Sequence, residues 1–197
     1  CPSCGSPYIA GFGVGTQKAE EMTKAMFPGA RVLRMDMDTT AGKGGHEEIL
    51  SAFAAGEADI LIGTQMIVKG HDFPKVTLVG VLAADLSLHA PDYACGERTF
   101  QLLTQAAGRA GRGADAGNVV IQTYMPEHYS IQAAASQDYR AFYRQEMSYR
   151  KMLRYPPATG LLTILAASGS EELLGQAAGR MEREALSCAA ELGGAPA

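Results

Sequence analysis

The stretch QAAGRAGR, residues 105–112, sets Gln105 ahead of two arginines three apart, Arg109 and Arg112, each beside glycine. A guanidinium is planar, permanently charged and forked to match phosphate oxygens. Placed against a transferring phosphoryl group, it stabilises the charge that develops there. Flanking glycines leave the backbone open to close approach, and Gln105 can orient a water. A plain helix end reads the same way, with arginine favoured by the helix dipole and glycine as the stop.

Arginines cannot run a hydrolysis alone. A nucleotide also needs a backbone cradle, a lysine and a metal carboxylate, and GxxxxGK[ST] does not occur in the chain. The nearest stretch, TTAGKGGH (39–46), lacks the first glycine, and Lys43 is followed by Gly44. It reads as a loop leading into a helix. The arginines are therefore expected to reach toward ATP held by another domain. Asp36 and Asp38 are expected to serve a polar loop after a strand, not acid–base chemistry. His71 and His89 lack partners at metal-ligand spacing and read as structural. Cys1 and Cys4 form CPSCG, a zinc-knuckle turn that supplies two of the four ligands zinc requires. Cys95 and Cys188 read as small hydrophobes. A chain that opens on half a motif reads as a piece of something longer.

These residues need a scaffold. The 197 residues are 47% apolar and 19% charged with a net charge of −4, which allows a real core and excludes a global basic footprint for nucleic acid. A helix is expected over 16–29, with Thr16 as N-cap and Ala19, Met22, Met26 and Phe27 on one apolar face. A strand is expected over 31–35 and a helix over 45–56, with Ile49, Leu50 and Phe53 as its apolar stripe. DILIGT (59–64) and VTLVGVLAAD (76–85) are apolar on both faces, as strands of a covered parallel sheet are. A helix over 96–110 with Phe100, Leu103, Ala106 and Ala107 inward and a strand over 117–124 complete the alternation. That order predicts a doubly wound α/β domain whose ligands gather at strand carboxyl ends, near Gly63, Thr64 and Asp85. Residues 129–154 read as helical. Pro156-Pro157 marks a boundary, and LLTILAAS with a helix from Glu171 to about Leu192 opens a further α+β unit. No membrane span or signal peptide is seen, so the expected compartment is the cytoplasm.

QAAGRAGR is similar to motif VI of superfamily 2 helicases, where QxxGRxGR supplies arginine fingers from the second RecA-like lobe. DILIGTQMIVKGHDFPKVTLVGVLAAD, with GVGTQKAEE, RMDMDTT, ERTFQLLTQAAGRAGR and CPSCG, resembles the primosomal protein N′ (PriA) family of replication-restart helicases through about residue 157. The resemblance implies a 3′-to-5′ DNA helicase driven by ATP with Mg2+, recruited to stalled forks, with other primosome proteins and single-stranded-DNA-binding protein as partners. It implies a first lobe bearing the Walker motifs outside this chain, so that the chain alone is inactive.

The resemblance also assigns residues. Arg112 matches the finger, Arg109 a second phosphate contact and Gln105 the head of the motif. Gly70 and Asp72 match the nucleotide-facing end of motif V, while Thr64, Gln65 and Lys69 match the part that faces the DNA strand or couples it to ATP, with Arg34 near DNA as well. Cys1 and Cys4 match half of a Zn2+ site completed by earlier cysteines. The implied layout is the end of a zinc-binding insert (1–10), a RecA-like lobe (11–127), a helical connector (128–157) and the start of a C-terminal domain (158–197). The family usually carries an arginine where Ala94 stands. Two other readings compete: another superfamily 2 translocase, or a non-catalytic helicase-like module that docks DNA or protein. YRAFYRQEMSYRKMLR (139–154) interleaves basic and aromatic residues. Such a pattern can bind a single strand, but the preferred reading is an amphipathic helix with a wet basic face and a Glu146–Arg150 pair.

Overall fold

The structure, a computed structural model, describes residues 4–5, 15–40, 42, 44–68, 73–111 and 116–191. It divides into two units, Cys1–Leu153 and Arg154–Ala197.

The first unit alternates helix and strand. Helix α1 (Thr16–Met26), strand β1 (Val32–Met35), helix α2 (Gly45–Ala55) and strand β2 (Ile60–Gly63) come first. Strand β3 (Leu78–Val81), helix α3 (Cys95–Ala107) and strand β4 (Asn118–Ile121) follow, then helices α4 (Tyr129–Ala135) and α5 (Tyr139–Met152). The described ladders are two parallel pairs: β1 with β2, Val32 opposite Ile60, and β3 with β4, Leu78 opposite Asn118. Parallel pairing needs a crossover, and here α2 and α3 provide it.

Helix α1 docks differently from its apolar pattern. Thr16 was expected to cap; Gly15 holds that position, and the Thr16 hydroxyl instead donates to the Asp36 carboxylate. Ala19 is buried, but Met22, Met26 and Phe27 are exposed. The inward face is Thr16, Ala19 and Glu20, and Glu20 meets Arg34 of β1 at 2.9 Å. Two polar contacts to the strand outweigh the methionine stripe in setting the rotation of the helix.

Two cores result. Met35, Leu50 and Phe73 pack with Ile49, Phe53 and Leu61 around β1–β2. Phe100, Leu103, Ile131 and Phe142 pack where α3, α4 and α5 meet. The Phe100 and Phe142 rings stack at 4.2 Å, which adds about 1 kcal/mol beyond their burial. The expected covering of both strand faces holds on one side of β3–β4 only: Leu78 and Val120 are exposed.

Residues 129–154 are helical as expected, in two helices. Gln137 has a φ of 53°, and the Asp138 side chain accepts from the Ala141 N–H to start α5. In the second unit, helix α6 (Glu171–Glu191) buries no residue, and residues 161–168 have no regular structure.

Candidate functional site

Helix α3 carries the arginine motif out of the core. Phe100, Leu103 and Ala106 face inward, which leaves Gln105 exposed in the last turn. The turn then tightens: Gly108 N–H donates to Thr104 O, and Arg109 N–H to Ala106 O, both at 3.0 Å. Arg109 is half-buried here. At Gly111 the backbone turns left-handed (φ 71°), and its N–H donates to Val76 O at 3.0 Å. A Cβ on Gly111 would lie 2.5 Å from the Gly117 nitrogen, so a side chain is excluded on two counts. Arg112 lies outside the described residues.

The second cluster follows β2. Gly63 ends the strand so close to β1 that a Cβ would sit 2.5 Å from Met35 O. Thr64 and Gln65 are exposed, and the Thr64 carbonyl accepts from Ile67 N–H to open a 3₁₀ turn, Gln65–Val68. Helix α3 packs against that turn. The chain's two candidate phosphate-binding segments thus lie on adjoining elements. Lys69, Gly70 and Asp72 lie outside the described residues, as do His71 and Lys43.

Arg34 is occupied. Its guanidinium is ion-paired with both Glu20 and Asp36 and is largely buried. A DNA contact would require it to leave two carboxylates. Asp36 is a structural hub: beyond Arg34 and Thr16, it accepts from Thr39 N–H at 3.0 Å, and its carbonyl accepts from the Thr40 hydroxyl at 2.6 Å. These bonds, led by Thr16, hold its carboxyl down to about 2. Asp38 is exposed.

Asp85 also turns inward. It is 1% exposed, and its carboxylate accepts from the Thr123 hydroxyl and from Tyr124 N–H (2.9 Å) and Met125 N–H (3.1 Å). Burial opposes its charge, but these three donors prevail and its pKa is lowered. It is a clamp between the ends of β3 and β4.

Cys4 is exposed, and Cys1 lies outside the described residues. Among the described residues no three His, Cys, Asp or Glu side chains gather to hold a metal. Ala94 occupies the N-cap position of α3, where its N–H donates to Asp92 Oδ1 at 2.9 Å, and Arg98 pairs with Asp92 at 2.7 Å.

A polar hub beside the site went unforeseen. Arg150 on α5 pairs with Glu97 on α3 (2.6 Å) and with Glu146 (2.7 Å), under the Tyr93 ring at 5.3 Å. The Tyr129 hydroxyl donates to Glu146 at 2.6 Å. Burial first, then that carboxylate, pushes the Tyr129 phenol well above its usual range. The Glu146–Arg150 pair was expected on a wet face; both side chains are 8% exposed. Gly96 makes room, because a Cβ there would lie 2.6 Å from the Tyr129 hydroxyl. The sequence signals were the i,i+4 spacing of Glu146 and Arg150 and a glycine directly before Glu97.

The chain matches the helicase conserved C-terminal domain over residues 12–114. It is 59% identical over 157 residues to replication restart protein PriA of Bacillus subtilis (strain 168), covering 80% of this chain and 20% of that protein. It is 51% identical over 172 residues to replication restart protein PriA of Synechocystis sp. (strain ATCC 27184 / PCC 6803 / Kazusa), covering 87% and 21%. The Treponema pallidum (strain Nichols) protein of that name is 44% identical over 169 residues, covering 85% and 25%. The chain spans about a fifth to a quarter of the length of these curated relatives.

Proposed function

We infer from this chain, which belongs to the helicase conserved C-terminal domain family, that it forms the arginine-bearing lobe of an ATP-dependent 3′-to-5′ DNA helicase acting in replication restart. Its fold on this reading is RecA-like, the two parallel pairs belonging to one doubly wound sheet in a lobe over 11–127. Residues 128–157 connect it to a domain that begins at 158. Single-stranded-DNA-binding protein and other primosome proteins are the partners proposed for the whole protein, acting in the cytoplasm.

The observation that carries this reading is the packing of α3 on the 3₁₀ turn after β2. It puts exposed Gln105 and exposed Thr64 on adjoining elements, so nucleotide contact and strand contact can move together. Gln105 orients water, Arg109 and Arg112 meet phosphate, and Gly70 and Asp72 face the nucleotide. Thr64, Gln65 and Lys69 take the DNA backbone, where a hydroxyl, an amide and a cation position a strand without reading its sequence. Arg34 joins them only by releasing Glu20 and Asp36. ATP with Mg2+ supplies the phosphoryl group, and the exposed Gln105 amide, four residues before Arg109, fits it from this side. Zinc needs four ligands; Cys1 and Cys4 offer two, so these residues do not hold the ion unaided.

The test uses both forms of the protein. This chain by itself is expected to show no ATP turnover. In the full-length enzyme, Arg112→Ala should lower turnover about 1,000-fold while DNA binding persists. An unchanged rate removes the finger, and turnover by the chain alone removes the two-lobe scheme.

A further inference from the structure

Five described cations of the first unit are neutralised. Lys24, Arg31, Arg34, Arg98 and Arg150 each pair with a carboxylate. Three other cations of helix α5 are not. Arg140, Arg144 and Lys151 are exposed, and none pairs with a described residue. The one acid within the helix, Glu146, is turned inward and taken by Arg150 and Tyr129. On a chain of net charge −4, an acid-free stripe of three open cations is a local reversal of sign.

The stripe follows from helix geometry. Phe142, Glu146 and Arg150, four residues apart, are the buried face. At 3.6 residues per turn, Arg140, Arg144 and Lys151 fall within about 40° of one another on another face, with axial steps of about 6 and 10 Å. Tyr143 (50% exposed) lies about 60° round the helix from Arg140, and its ring centroid is 6.1 Å from that of Tyr139 (62% exposed).

We propose that this face of α5 is a second contact for single-stranded DNA, with Arg140, Arg144 and Lys151 on its phosphates and Tyr143 beneath a base. Cations along a backbone with aromatic rings alongside are what an unpaired strand requires. A duplex offers phosphates but keeps its bases stacked, and so leaves the tyrosines unused. The proposal rests on the DNA-motor reading above, since it extends the strand's path from Thr64 and Gln65 to α5.

The experiment titrates this chain with fluorescein-labelled oligo-dT over a range of salt. Arg140→Gln/Arg144→Gln/Lys151→Gln is expected to weaken binding about tenfold at 0.1 M salt and to lower the salt slope by about 2, since each phosphate contact contributes about 0.7 on a single strand. Tyr143→Ala should weaken oligo-dT several-fold and leave an abasic strand unaffected. Lys18→Gln/Lys75→Gln/Arg180→Gln, with the same charge change, should bind like wild type. Circular dichroism should report an unchanged fold, since all substituted residues are exposed.

If the α5 triple variant binds like wild type, or the control triple loses as much, the proposal is overturned. It is also overturned if the triple variant loses a polyglutamate peptide but keeps oligo-dT, or if Tyr143→Ala changes nothing. Binding that survives the α5 changes but is lost with Gln65→Ala/Lys69→Ala leaves the DNA-motor reading intact. A wild-type chain that binds no strand at all removes that reading.

Discussion

Arg150 on α5 reaches Glu97 at the start of α3, with Nη2 2.6 Å from Oε2. The contact joins the helix that ends in QAAGRAGR to the helices behind it. The same guanidinium holds Glu146, so one buried cation serves two carboxylates.

Removing the buried acid should cost more than removing the exposed one. Glu146→Ala leaves Arg150 and the Tyr129 hydroxyl short of a partner, a loss of about 3 kcal/mol. Glu97, whose side chain is 40% exposed, should cost about 1 kcal/mol or less on truncation. Urea unfolding of both variants checks this order, and equal losses would show that the hub is held elsewhere.

Gly96 should tolerate no side chain. Its Cβ would meet the Tyr129 hydroxyl at 2.6 Å and Glu146 Oε2 at 3.1 Å. Gly96→Ala is expected to cost about 1–3 kcal/mol through overpacking. Gly80→Ala, with nothing within 4 Å, serves as the comparison and should leave the unfolding midpoint nearly unmoved.

Acid should loosen the β1–β2 half of the unit. Asp36 and Asp59 are both held down to about 2, Asp36 chiefly by the Thr16 hydroxyl and Asp59 chiefly by Arg31. Each carboxylate is more acidic folded than unfolded, so its contribution is complete above about pH 4. It is lost as the pH falls toward 2. Asp36→Asn should flatten the stability profile in that window, and an unchanged slope would remove Asp36 from the account.

His128 should act in the neutral range. Burial lowers its pKa, and its neutral Nδ1 accepts from Ser130 N–H at 3.3 Å to cap α4. The unfolded chain then binds the proton more readily, so stability falls as the pH drops below about 6.5. An NMR titration should find the imidazole midpoint below that value. A midpoint above it would mean that the cap is cationic.

How far the sequence could be read depends on what held each element. Leu50, Phe100 and Leu103 face inward as their periodicity predicts, because burial alone orients α2 and α3. The methionines of α1 misled, since Glu20–Arg34 and Thr16–Asp36 set that helix's rotation, and ion pairs leave no periodic trace. Parallel strands were readable from unbroken apolar runs, yet Leu78 and Val120 stand in the open. Of the motif residues, Gln105 and Thr64 emerged exposed at element ends, as required of groups that meet a ligand. Asp85 shows the opposite lesson. An acid at a strand end suggested a ligand, and three donors from 123–125 consumed it. The Glu97–Arg150 contact spans 53 residues, beyond any local pattern.

The Asp85 clamp has a topological consequence. One buried anion ties position 85 to positions 123–125 and so closes a ring of chain that contains α3, Gln105 and Arg109. A protease that nicks this ring once would leave both cut ends tethered to the same body. The severed molecule should travel as one species until denaturant lets the pieces part.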